Sequence, residues 1–204
     1  VSTYIQNFKK FQPLLNELIM RDIKTKYRKS ILGVFWTILN PLFMMVVLSV
    51  VFSNMFKFDV EYFPVYLLSG QLIFNFFNEA TTNAMGAIVA NGPLIKKIYV
   101  PKYMFVLSRI FSSSINLLAS FTAMIFVMLA MRVELHYTVL LAPIPLIFIV
   151  FFSLGVGLIL SAITVKFRDI MHLYSVFVTA LMYLTPVIYP MSILPEWLKK
   201  IVLL

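Results

Sequence analysis

Long apolar runs separated by short polar segments dominate the pattern of the chain. Four runs reach the roughly 20 residues that a helix needs to cross a bilayer; they cover residues 31–56, 64–89, 103–131 and 139–165. A fifth run starts near Ile170 and meets three prolines, where the missing amide donor breaks a helix: Pro186, Pro190 and Pro195. The pattern predicts an all-α integral membrane protein with five spanning segments in a single transmembrane domain, residues 1–204.

The composition strengthens this interpretation. Hydrophobic residues make up 61% of the chain and charged residues 12%, whereas a soluble domain has roughly 45–50% and about 25%. This excludes an ordinary soluble enzyme and a nucleic-acid-binding module. Lysines and arginines concentrate before the first run, between the second and third, and after the fourth, so the positive-inside rule places the N-terminus in the cytoplasm. With no cysteine and two isolated histidines, we predict no metal site.

The polar segment over residues 1–30 predicts an amphipathic helix from Pro13 to residue 30. Helical spacing places Arg21, Lys24 and Arg28 on one face and leucines and isoleucines on much of the remainder. Such a helix lies on the cytoplasmic leaflet. Its basic residues either touch anionic lipid only, or bind the phosphate-bearing head of a substrate or a partner protein.

A second segment, residues 90–101, lies on the same side. Asn-Gly-Pro is a turn, so we expect Pro93 to open a short helix and Pro101 to close it. The segment is either a loop packed on its own protein or a docking site for a cytoplasmic partner. We favour docking, because its apolar side chains need a cover; the candidate residues are Pro93, Leu94, Ile95, Lys96, Lys97 and Ile98.

The second run carries a polar face. Asn75, Glu79, Thr82 and Gly86 share it by helical spacing. Polar groups in lipid are costly, so this face must meet protein or water, as a dimer interface or a pore wall. A proton-relay role for Glu79 is disfavoured, because the sequence offers it no obvious basic partner within the membrane.

In the fourth run, small residues recur at every fourth position. Ser153, Gly157 and Ser161 form the series, and Gly155 is expected to thin the helix further. Small residues at this spacing allow helices to approach closely. We therefore predict a helix–helix contact here.

Aromatic residues surround the proline cluster. Tyr183, Tyr189 and Trp197 either anchor the chain at the bilayer interface or offer flat faces to sugar rings. Because the prolines interrupt the helix, we predict that residues 183–200 form an external, re-entrant gate region.

Four stretches, in order, resemble the permeases of polysaccharide ABC exporters, which include O-antigen, teichoic acid and capsule exporters. The first stretch, RDIKTKYRKSILGVFW followed by LNPL at Leu39–Leu42, resembles the family's entry to its first span. The stretch from Asn91 to Pro101 is similar to its cytoplasmic coupling helix. KFRDI at residues 166–170 and TPVIYP at residues 185–190 are also similar to sequence patterns of the family.

The resemblance implies six spanning helices, with the sixth after Leu204, in the bacterial cytoplasmic (inner) membrane. It also implies a homodimer of permeases that works with two ATPase subunits to export a lipid-linked glycan. The chain contains no G-x-x-x-x-G-K-[ST] motif. We therefore expect ATP and magnesium to bind to the partner, and no catalytic residue or cofactor in this chain.

Two other functions compete with this one. An integral-membrane lipid or sugar transferase would need facing acids, or an acid paired with histidine, near one leaflet, whereas the acids here are scattered. A small-lipid or drug exporter would share the same fold. An ATPase gene beside this one would favour export.

Overall fold

The computed structural model describes residues 2–27, 32–56, 62–134, 137–190 and Glu196. Within this part of the chain all regular structure is helical. Seven α-helices follow one another: α1 Ser2–Tyr27, α2 Trp36–Phe56, α3 Phe63–Ala90, α4 Gly92–Ile95, α5 Tyr103–Ala130, α6 Pro143–Lys166 and α7 Ile170–Leu184. Short 3-10 turns precede α2 and α6, at Gly33–Phe35 and Tyr137–Leu141. The predicted all-helical class is confirmed for the described residues.

Helix α3 is the centre of the fold. It packs against α2, α5, α6 and α7, while α1 lies along α5. The main core forms where α1, α3 and α5 meet, from side chains such as Leu18, Phe76 and Ile110. The polar side chains of α3 gather in its second half, so this helix carries both the core and the polar surface described below.

The small-residue series on α6 makes the predicted close contact with α3. Ser153, Gly157 and Ser161 are all buried, and a Cβ added at Gly157 would lie 2.8 Å from the Cβ of Ala84. The expected contribution of Gly155 is wrong. A Cβ at that position would meet nothing within 4 Å, because two helical residues turn the chain about 200° away from the contact.

Helix α1 begins at Ser2 rather than at Pro13, so the prediction that Pro13 opens it is wrong. A proline inside a helix costs about 3 kcal/mol through its missing hydrogen bond and its ring. Here the helix is held on both sides of the proline, because Phe11 and Leu14 pack against the same core and Leu15 is buried in it. The apolar face predicted for this helix therefore covers its own protein.

Two helical stretches of the described chain are long and apolar enough to cross a membrane, Tyr103–Ala130 and Val139–Lys166. Helix α7 is apolar but has 15 residues, which span about 22 Å at 1.5 Å each. It ends at Leu184 with Thr185 extended, so the predicted break before Pro186 is confirmed. The number of five spans stays a prediction.

Candidate functional site

Glu79 lies at the centre of a polar cluster between α1, α3 and α5. Its Oε1 accepts hydrogen bonds from Lys26 Nζ and from Asn116 Nδ2, each at 2.7 Å. Glu79 therefore has a basic partner outside the predicted spans, which the sequence did not reveal. Lys26 comes from the end of α1, 53 residues earlier in the chain. Residues so far apart in sequence are paired only by the packing of α1 against the other helices.

A second charged cluster lies nearer the end of α3. Arg21 donates from Nε and Nη2 to Asp22 Oδ1, at 3.2 and 3.0 Å, and from Nη1 to Asn91 Oδ1 at 3.1 Å. Arg109 of α5 lies with its Nη1 3.4 Å from the other carboxylate oxygen, Asp22 Oδ2. Asp22 is buried, so its carboxylate joins α1 to α5, while Arg21 joins α1 to the end of α3.

The two clusters line adjoining cavities. One cavity, of about 690 Å³ and called the basic cavity below, is lined by three basic and two acidic side chains, which are Arg21, Lys26, Arg109, Asp22 and Glu79. The next cavity, of about 420 Å³, is bounded by α2, α3 and α5 and is lined mainly by amides and hydroxyls. Lys26 and Glu79 belong to both walls. The Lys26–Glu79 ion pair therefore lies where the two cavities meet, and the other polar residues of the second cavity are uncharged.

The predicted basic face is only partly assembled here. Arg21 lines the basic cavity, whereas Lys24 is exposed and lies outside its wall. Arg28 lies outside the described residues. Sequence reasoning missed Asp22, Lys26 and Arg109. A single acid inside a basic run, as at Asp22, is the signal that could have indicated a buried pair.

The segment between α3 and α5 forms one tight turn rather than a helix that extends to Pro101. Helix α4 covers Gly92–Ile95, and Lys97 and Ile98 donate their amides to the carbonyl of Leu94, at 3.0 and 3.1 Å. A bond spanning three residues tightens the end of such a turn, which is why the helix is shorter than predicted.

The exposure of this turn also differs from the prediction. Leu94 and Ile95 are half-buried and pack against the main core, so the idea that nothing in this chain covers them is wrong. Ile98 is 44% exposed and Tyr99 is 93% exposed, and Lys96 and Lys97 are exposed beside them. The surface that remains open is therefore Lys96–Tyr99, with Pro93 at its edge. Tyr99 is an addition to the residues predicted for docking.

The segment after α7 folds back onto the start of α3. The hydroxyl of Tyr66 lies 2.8 and 2.9 Å from the carbonyl oxygens of Pro186 and Tyr189, and its single proton is shared between them. The hydroxyl of Tyr189 donates to the carbonyl of Tyr183 at 2.6 Å, and Ile188 is buried against Phe63 and its neighbours. Tyr183 itself is exposed. Trp197, the third aromatic residue of the predicted gate, lies outside the described residues.

Comparison with known proteins gives consistent matches over most of the chain. A family model described as ABC-2 type transporter matches residues 13–204. The O-antigen export system permease of Myxococcus xanthus is 29% identical over 94% of this chain and 74% of its own. The O-antigen export system permease of Klebsiella pneumoniae is 27% identical over 90% of this chain and 71% of its own. The polysialic acid transport protein KpsM of Escherichia coli is 24% identical, over 88% and 70%.

Proposed function

We propose that this chain, which belongs to the ABC-2 type transporter family, is the permease subunit of an ABC transporter that exports a polysaccharide. The observation that carries the proposal is the similarity, along nearly the whole chain, to permeases named for O-antigen and polysialic acid. The competing transferase finds no support in the comparisons, because these relatives are named for export or transport.

The proposed location is the bacterial inner membrane, crossed several times with the N-terminus in the cytoplasm. Two stretches are long and apolar enough to span. The basic residues of α1, of the turn after α3 and of the end of α6 then share the cytoplasmic side. With this orientation the basic cavity opens near the cytoplasmic leaflet, where a newly made substrate would arrive.

The proposed assembly is two permeases with two ATPase subunits, which bind ATP and magnesium. The open surface Lys96–Tyr99, with Pro93, is where the ATPase would dock. Exposed Ile98 and Tyr99 supply apolar area, and an aromatic side chain is a frequent anchor of a protein interface. Lys96 and Lys97 add charge that an acidic partner surface could meet.

The proposed substrate is a lipid-linked glycan, whose phosphate-bearing head would bind in the basic cavity. Arginine presents a planar fork of donors that matches phosphate oxygens, and Arg21 and Arg109 both line this wall. Lys24, and Arg28 beyond the described residues, would attract the headgroup along the membrane surface. At the other end of α7, Tyr183, Tyr189 and Trp197 would form the outer gate.

Deletion of the permease gene in its own organism tests this function. We expect polysaccharide to accumulate inside the cell and to disappear from its surface, while total synthesis continues. Re-expression of the full-length protein should restore the surface glycan. An unchanged distribution of polysaccharide between the inside and the surface would contradict the proposal.

A further inference from the structure

The neutral cavity between α2, α3 and α5 has an unusual wall for a protein that spans a membrane. Four asparagines line it, together with Glu79, Ser120 and the indole of Trp36; they are Asn40, Asn75, Asn78 and Asn116. Polar groups at membrane depth are expensive unless something polar faces them. Asn116 donates to Glu79 and Asn78 accepts from Thr82, and the cavity is polar and large enough to hold water or a polar ligand beside them.

Gln71 adds a second observation beside this cavity. It lies one turn before Asn75 on α3 and is 4% exposed. Its Oε1 has no hydrogen-bond partner within the described chain. It lines a separate, smaller cavity of about 50 Å³, which shares Asn75, Glu79 and Asn116 with the amide-lined wall. A buried acceptor left unpaired costs about 1–3 kcal/mol. A ligand with hydroxyl donors would remove that cost.

We propose that this amide-lined cavity binds the sugar unit that follows the phosphate-bearing head of the substrate. A sugar hydroxyl both donates and accepts, and a side-chain amide offers both functions, while a carboxylate accepts two or more hydrogen bonds. Trp36, 43% exposed on this wall, adds a flat apolar surface for the face of a sugar ring. The inference rests on the proposed function, which supplies a glycan.

The placement of the two cavities fits the order of groups in such a substrate. The basic wall and the amide wall share Lys26 and Glu79, so a phosphate in the first would put its sugar beside the second. The lipid tail has a different candidate surface. The groove between α5 and α6 is lined almost entirely by apolar side chains, among them Phe111, Leu118 and Phe121.

Protection of a single thiol tests the sugar site in the full-length permease with its partner ATPase. These 204 residues contain no cysteine, so Asn75→Cys introduces one thiol into the wall; Ser120→Cys is a second variant. The probes are the cell's own lipid-linked oligosaccharide and a polyprenyl diphosphate without sugar. At about ten times its Kd, the oligosaccharide should slow maleimide labelling about tenfold, and the sugar-free lipid should leave the rate unchanged.

Ser175→Cys is the matched control. Ser175 is exposed on α7, away from the cavity wall, so neither probe should alter its labelling. Equal protection of Asn75→Cys by both probes, or protection by neither, would overturn the sugar site. If polysaccharide still accumulates inside cells that lack the permease, such a result removes the sugar site and leaves the export function intact.

Discussion

Asp22 is the one charged residue that is buried within the described part of the chain. Its Oδ1 accepts hydrogen bonds from Arg21, and its Oδ2 lies 3.4 Å from the Nη1 of Arg109. Breaking a buried pair by removing one partner is costly, because the charge that remains has lost its compensation. Asp22 therefore fixes α1 on α5 and holds two guanidinium groups close together at the basic cavity.

Replacing this carboxylate should destabilise the protein. We expect Asp22→Asn to cost about 2 kcal/mol, less than the ~3–5 kcal/mol of a fully buried pair, because both arginines are partly exposed. For a chain of this size that corresponds to a melting temperature lower by about 4–8 °C. Thermal unfolding in detergent measures it.

The control is Asp169→Asn, at an exposed acid before α7. It removes the same charge without a buried partner, so its melting temperature should stay close to that of the parent. Equal shifts for the two variants would show that the buried position of Asp22 does not matter.

The residue scale is also where sequence reasoning failed most clearly. Helical spacing was enough to place Asn75 and Glu79 on one face of α3. It could not pair Glu79 with Lys26 or Asn116, because those contacts depend on how α1 and α5 pack against α3. Gln71 was missed for a related reason, since a single amide among apolar residues looks unremarkable until its burial is known.

At the scale of elements, the α3–α6 contact offers a matched pair of glycines. We predict that Gly157→Ala destabilises the protein by about 1–3 kcal/mol, because its Cβ would overpack against Ala84. Gly155→Ala should be neutral or stabilising by up to about 1 kcal/mol, because alanine favours a helix and the space is open.

Melting temperatures of the two variants, measured in one detergent, decide between packing and propensity. The double variant Gly157→Ala with Ala84→Gly should recover part of the loss, because it removes the Cβ that clashes. Equal effects of the two single alanine substitutions would refute the close contact.

The turn after α3 yields a prediction about the partner. Ile98→Asp combined with Tyr99→Asp should abolish co-purification with the ATPase while the permease still reaches the membrane. Both side chains are exposed, so the fold loses little packing, while a buried charge in the interface is costly. Leu94 and Ile95 are poorer choices, because they support the core.

Tyr137→Asp provides the control for this experiment. Tyr137 is 93% exposed, as is Tyr99, but it lies in the 3-10 turn before α6, which the proposed topology places outside. Its ATPase recovery should equal that of the parent. Full recovery with the Ile98 and Tyr99 variant would exclude this surface as the docking site.

The Tyr66 hydroxyl holds the segment after α7 in place against the start of α3. Tyr66→Phe removes the hydrogen bond that the hydroxyl shares between the carbonyls of Pro186 and Tyr189, at a cost of about 1–3 kcal/mol. We expect an Ile188→Cys thiol, buried in the parent, to react several times faster with maleimide in that background. An exposed Tyr183→Cys thiol should react quickly in both, and an unchanged rate at position 188 would show that Tyr66 does not hold the segment.

Element types were largely predictable, and element ends were not. The apolar runs predicted the positions of α2, α3, α5, α6 and α7, and the prolines after Leu184 predicted where α7 ends. Pro13 misled the prediction of α1, because tertiary packing on both sides outweighed the cost of a proline inside the helix. The short turn at Gly92–Ile95 was predicted too long, because the backbone tightens before the next proline.

At the scale of the whole molecule, one polar contact links the proposed docking turn to the substrate cavities. Asn91, at the junction of α3 and α4, donates from Nδ2 to the carbonyl of Ala87 at 2.8 Å and accepts from Arg21 of α1. These hydrogen bonds join the end of α3, beside the proposed docking turn, to α1, and the end of α1 carries Lys26 next to Glu79.

ATP-dependent transport in reconstituted vesicles tests the central claim most directly. The full-length permease and its partner ATPase are placed in liposomes with the cell's own lipid-linked polysaccharide, and the glycan that reaches the side opposite the ATPase is measured. We predict ATP-driven transfer with both subunits, and none when the permease is omitted or ATP is replaced by a non-hydrolysable analogue. Vesicles that hydrolyse ATP but leave the glycan on its original side would contradict the account.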